Sequence, residues 1–102
     1  MTNRKTKPEI HADICSELNG LYRQKNADYG DSFGETFGKL GLVSAITRIT
    51  DKVNRLQSLC TRAAEVKNES IRDTLLDLAN YSVMTIIELD ASGNTQRGGN
   101  NT

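Results

Sequence analysis

Three acidic side chains, Glu69, Asp73 and Asp77, follow one another at four-residue spacing in the stretch ESIRDTLLDLANY. On a helix that spacing projects them side by side along one face. Like charges so placed repel by about 0.2–0.5 kcal/mol per exposed pair. A cation would offset that, and so would neighbouring arginines. Mg²⁺ accepts a few carboxylate oxygens and keeps several waters. Glu69, Asp73 and Asp77 are therefore candidate metal ligands and candidate catalytic groups. Asn80 adds a neutral oxygen or a hold on a substrate. A plainer reading uses the same residues. Ser70 and Asp73 fit a capping box, Glu69 suits a helix N-terminus, and Asp77 would pair with Arg48, Arg55 or Arg72.

A second set is basic. Arg48, Lys52, Arg55 and Arg62 fall within roughly 80° of one another at about 100° per residue. Such a stripe can hold phosphates, and arginine offers them two parallel hydrogen bonds. It can equally pair with the acidic face and tie helices together. Asp51 borders the stripe.

A third set is KNADYGDSF, residues 25–33. Its glycines follow neither a phosphate-loop nor a dinucleotide-binding spacing. Lys25, Asn26, Asp28, Tyr29, Gly30 and Ser32 nonetheless form a dense polar cluster beside aromatics. Tyr29 could stack on a base, and Asn26 and Ser32 could bond base, sugar or phosphate. The alternative is an ordinary turn, capped by Asp28 or Asp31 and anchored by Phe33.

These sets need helices to position them. Pro8 suits a first turn, and Ile10, Ile14, Leu18, Leu21 and Tyr22 recur at helical spacing. The first helix is expected over 8–26, with Gly20 costing about 1 kcal/mol inside it unless it serves a close contact. Glycines at 30, 34, 38 and 41 interrupt the next segment. Phe33, Phe37 and Leu40 still allow a short helix near 32–39. Leu42, Ile46, Ile49, Val53, Leu56 and Ala63 stripe a third helix, expected over 42–65. Ile71, Leu75, Leu78, Ile86 and Leu89 are the expected buried face of a fourth, from Asn68 or Ser70 to about Asp90. The expected fold is all-α: a small bundle of three long helices and a short one. Residues 1–7 read as a flexible start, 8–90 as a single helical domain, and 91–102 as a disordered tail.

Composition bounds the function. With 102 residues, the chain buries only a modest core, which favours a homo-oligomer. Its 13 basic and 13 acidic residues cancel, against a duplex nucleic-acid binder. A small anionic ligand remains compatible, because local clusters outweigh the sum. Cys15 and Cys60 form no CxxC and read as reduced thiols in or beside the core. The single His11 argues against a histidine-rich zinc site and against a Ser–His–Asp triad. No apolar run approaches about 18 residues, and the N-terminus lacks a signal-peptide pattern. An intracellular, non-membrane protein is expected.

The three sets in order resemble a family of small phage and prophage proteins, nucleotide modification associated domain 1. The blocks are K-N-x-D-Y-G-x-S-F, then R-x-x-D-K-x-x-R-L, then E-S-I-x-D-T-L-x-D-L-A-N-Y. The resemblance spans residues 25 to about 89. The combination is specific, while each block alone is weak. It implies a role around phage nucleotide metabolism in the host cytoplasm. Lys25, Asn26, Tyr29 and Ser32 would hold the nucleoside end, with Asp28 and Gly30 as further nucleotide-binding candidates. Arg48, Lys52 and Arg55 would meet the phosphates, with Asn80 and Tyr81 nearby.

A more distant similarity is to the all-α nucleoside triphosphate pyrophosphatases of the MazG and dimeric dUTPase type. It implies Mg²⁺ on Glu69, Asp73 and Asp77, completed by Asp51, and release of pyrophosphate. The chain departs from that pattern. The E-x-x-E pair of the earlier helix is absent, and Asp51 stands among basic residues instead. The later helix lacks E-x-x-D spacing. The resemblance thus carries nucleotide binding further than hydrolysis. A binder that kept the pocket without hydrolysis would sequester a nucleotide or cyclic nucleotide, a means for a phage to blunt nucleotide signalling in host defence. The reading outside this class is a helical protein-interaction module with an exposed apolar patch.

Overall fold

The structure is a computed structural model. It describes residues 4–62 and 68–100, without the side chains of 68 and 94–100. Of the described residues 92% are helix, and none is strand. Four helices follow in order: α1 (Lys7–Tyr29), α2 (Ser32–Leu40), α3 (Leu42–Thr61) and α4 (Asn68–Asn100). Three long helices and one short one match the expected fold class. None of them is long and apolar enough to cross a membrane among the described residues.

The chain divides after Gly30 into two compact units. The first unit is built on α1. Thr6 caps it with a reciprocal box: its hydroxyl accepts from the Glu9 N–H at 3.3 Å, and the Glu9 carboxylate accepts from the Thr6 N–H at 2.8 Å. Two orphan donors of the first turn are thereby satisfied. Pro8 sits in that turn. The helix runs past the expected end at Asn26, because nothing between Asn26 and Tyr29 breaks it. It stops at Gly30, whose φ of 69° favours glycine and whose N–H reaches the Asn26 carbonyl at 2.8 Å.

The second unit is α2, α3 and α4. Asp31 caps α2 by accepting from the Gly34 N–H at 3.1 Å. Gly41, at φ 77°, ends α2 and starts α3. The last turn of α3 closes on Arg62. The expected end near Glu65 and the stripe residue Ala63 lie outside the described residues. α4 runs ten residues past the expected end at Asp90. Residues 91–100 are weak helix formers, so this extension follows from propagation of backbone hydrogen bonds, not from side-chain preference.

Within this unit α3 packs along α4, and α2 packs on both. Two polar contacts mark the seam: Lys52 with Asp77, and Arg55 with Thr74. Stepping three residues up α3 steps three down α4, so the two helices are antiparallel. The buried residues are Ala45, Leu59, Thr74, Leu76 and Thr85. At about 100° per residue the seam divides the hairpin into two sides. Arg48, Asp51, Arg55 and Arg62 of α3 share one side with Glu69, Asp73, Asp77 and Asn80 of α4. The apolar stripes of both helices share the other.

The stripes are where expected, but their burial is not. Leu75, Ile86 and Leu89 are exposed in this chain, as are Leu42, Ile46 and Val53. The face of α4 turned to α3 is instead Thr74, Leu78, Tyr81 and Thr85. Small hydroxyl residues serve there because each satisfies itself. Thr74 donates to the Ser70 carbonyl at 2.8 Å and Thr85 to the Tyr81 carbonyl at 2.7 Å.

Candidate functional site

The polar side of the α3–α4 hairpin gathers most of the second and third blocks. The Lys52 ammonium lies 3.2 Å from an Asp77 oxygen. Lys52 thus pairs with the acidic face, the reading in which the basic stripe ties the helices together. The reason is register: Lys52 faces straight across the seam, and Arg48 and Arg55 lie beside it.

Arg55 is held differently. Its Nε donates to the Thr74 hydroxyl at 3.3 Å, and that hydroxyl donates onward to the Ser70 carbonyl. One buried oxygen therefore acts as acceptor and donor at once. The bond uses Nε and leaves the two terminal nitrogens of the guanidinium without an ion pair among the described residues. Arg48, about one turn before Lys52, is exposed and likewise unpaired among them. Two guanidinium groups thus flank a neutralised lysine. Arg62 caps α3 and is exposed.

The carboxylates are less concentrated. Glu69 and Asp73 are exposed on the first turns of α4. Because α4 begins at Asn68, Ser70 lies inside the helix and does not form the expected capping box. Asp51 lines a shallow groove with Leu42, Val43, Ile46, Thr47 and Thr50 of α3. No group of three or more His, Cys, Asp or Glu side chains is arranged to hold a metal ion among the described residues.

Asn80 is half-buried on the same side. The Tyr81 ring stacks on Phe33, with centroids 5.9 Å apart and planes at 26°. That stack fastens α2 to α4. Ser32 is the first residue of α2 and is exposed.

The first block falls mostly in the other unit. Lys25, Asn26, Asp28 and Tyr29 form the last turn of α1, and Gly30 caps it. All are exposed, Tyr29 at 74%. An open tyrosine ring on a fixed helical turn is available for stacking. Cys15 and Cys60 are free and exposed, outside the core where they were expected. Cys15 lies 3.7 Å from His11, its neighbour one turn back on α1.

Sequence reading missed Thr74. It is quoted in the third block, but attention to charge passed over it. The available signal was its helical register with Leu78 and Tyr81, which places it on the inner face.

Neither the curated proteins nor the solved structures contain a match to this chain. The likeness to MazG-type pyrophosphatases therefore rests on the sequence motifs alone. A family model does match, over residues 25–89, from the Lys25 that opens the first block to the last stripe residue of α4. With well over half of its length covered, the chain belongs to the nucleotide modification associated domain 1 family.

Proposed function

We propose that this protein binds nucleotides, with their phosphates on the polar side of the α3–α4 hairpin. The observation that supports this best is the treatment of the basic residues. Lys52 is neutralised by Asp77, while Arg48 and Arg55 are left unpaired among the described residues. Arg55 is also oriented, through Nε, by a buried hydroxyl. A pre-oriented guanidinium loses less freedom on meeting a phosphate. The family description points to the same ligand class.

Sequestration is the form of this reading that needs least from the site. It asks only for affinity, and the ligand is a nucleotide or cyclic nucleotide of a phage-infected host cell. The second form is Mg²⁺-dependent hydrolysis of a nucleoside triphosphate to monophosphate and pyrophosphate. The four-residue spacing of Asp73 and Asp77 supports it, since Mg²⁺ commonly uses one or two carboxylates together with substrate phosphates. When bound, the ion would polarise the phosphoryl oxygens. Glu69 and Asp51 are the further carboxylates of that reading. Ser32 of α2 is its candidate for the nucleoside end within the unit of α2, α3 and α4.

Calorimetry with canonical, modified and cyclic nucleotides, with and without Mg²⁺, tests the shared claim. At least one should bind, and Arg55→Ala should weaken it tenfold or more. Ligand recovered intact means sequestration. Pyrophosphate that appears with wild type and vanishes in Asp73→Ala and Asp77→Ala means hydrolysis. If no nucleotide binds, the proposal fails and a protein-interaction role replaces it.

A further inference from the structure

The apolar side of the α3–α4 hairpin has no cover. Leu42, Ile46 and Val53 on α3, with Leu75, Ile86 and Leu89 on α4, are 36–54% exposed. Ile49, Leu56, Ile71 and Leu78 lie half-buried between the two rows. Among the described residues, the charged groups nearest this side at helical spacing are Arg72 and Asp90, at its outer rim on α4. The Ser82 hydroxyl on this side is already bonded to the Leu78 carbonyl at 3.0 Å, and Gln57 and the free Cys60 share this side of α3. The buried apolar residues of this unit, among those described, are Ala45, Leu59 and Leu76.

We propose that a second copy of this chain covers the face, hairpin against hairpin, apolar side to apolar side. Six exposed and four half-buried apolar side chains make up the face on each copy, and each partner in a stable interface gives roughly 800 Å². Its shape also fits a copy of itself. Two antiparallel helices that are apolar along one side are half of a four-helix bundle, and a matching pair completes it. A two-fold axis makes one patch serve both copies. Like charges near such an axis would meet their own kind, and the middle of this face carries none among the described residues. Pairing this way leaves the Arg48 and Arg55 side of each copy open to solvent.

Light scattering on the full chain, joined to thermal melts over a concentration series, tests this. Wild type is expected at twice 11.3 kDa or an even multiple of it. Its melting midpoint is expected to rise with concentration, as linked assembly requires. Ile86→Lys should lower the mass at least by half and abolish that rise. Ser58→Lys, exposed on the other side of α3, should change neither. Should Ile86→Lys not fold, Ile86→Ala should raise the dissociation constant at least tenfold. A wild-type mass of one chain overturns the proposal and assigns the face to another protein. An Ile86→Lys protein that folds and keeps the wild-type mass overturns it too.

Discussion

Lys52 Nζ and Asp77 Oδ2 stand 3.2 Å apart, on side chains 26% and 32% exposed. The pair is neither fully wet nor fully buried. A half-shielded pair holds its geometry better than a surface pair and avoids most of the desolvation cost of a buried one. A double-mutant cycle with Lys52→Met and Asp77→Asn should give a coupling of about 1 kcal/mol in urea unfolding. Added salt should shrink it. Zero coupling would mean that the pair contributes nothing to the seam.

The Arg55–Thr74 bond separates charge from orientation. Arg55→Ala removes both, and Arg55→Lys keeps the charge while losing the Nε donor. Thr74→Val keeps the shape and frees the guanidinium. Nucleotide affinity should fall in the order Arg55→Ala, then Arg55→Lys, then Thr74→Val. The last should cost about threefold to tenfold, on the scale of one net hydrogen bond. Calorimetry reads this directly. An unchanged affinity in Thr74→Val would show that orientation is irrelevant.

Gly20 sits inside α1, and a Cβ built there meets nothing within 4 Å. The close contact that would have excused this glycine is absent among the described residues. Gly20→Ala should therefore stabilise the helix by about 0.5–1 kcal/mol. Circular dichroism melts should shift upward. A downward shift would reveal a neighbour at that face in solution.

The residues from Ala91 onward read SGNTQRGGNNT after the alanine. They contain no large apolar side chain. Truncation after Asp90 should leave the melting midpoint and nucleotide affinity unchanged within error. A loss of several degrees would show that the far end of α4 is a working part of the fold.

Much of this architecture is readable from spacing. The apolar stripes of α3 and α4, the short helix between glycines and the start of α1 near Pro8 all follow from periodicity and breakers, while the Thr6 cap does not. What periodicity reports is which side needs cover. It does not say who supplies the cover, so Leu75, Ile86 and Leu89 read as buried and stand exposed. Partner choice was illegible for a related reason. Whether Asp77 meets Lys52 or an arginine depends on the register between two helices, which no spacing within either helix encodes. The end of α1 was misread because the polar run KNADY looked like a loop. Polarity alone does not stop a helix, and the stop came only at Gly30. Thr74 escaped notice because its role is to hold a neighbour in place, which leaves no charge to catch the eye.

Thr74, Ser82 and Thr85 each return their hydroxyl proton to a carbonyl four residues back. Their polar atoms come to the helix surface already satisfied. Thr74 and Thr85 therefore let α4 lie against α3 without asking for a matching donor or acceptor at each point. Such a surface is tolerant of sliding. The alignment of the hairpin is indexed mainly by two teeth, Lys52 against Asp77 and Arg55 against Thr74, on one stretch of the contact. Removing both would leave the Phe33–Tyr81 stack and the buried Ala45 and Leu59 to hold the register alone.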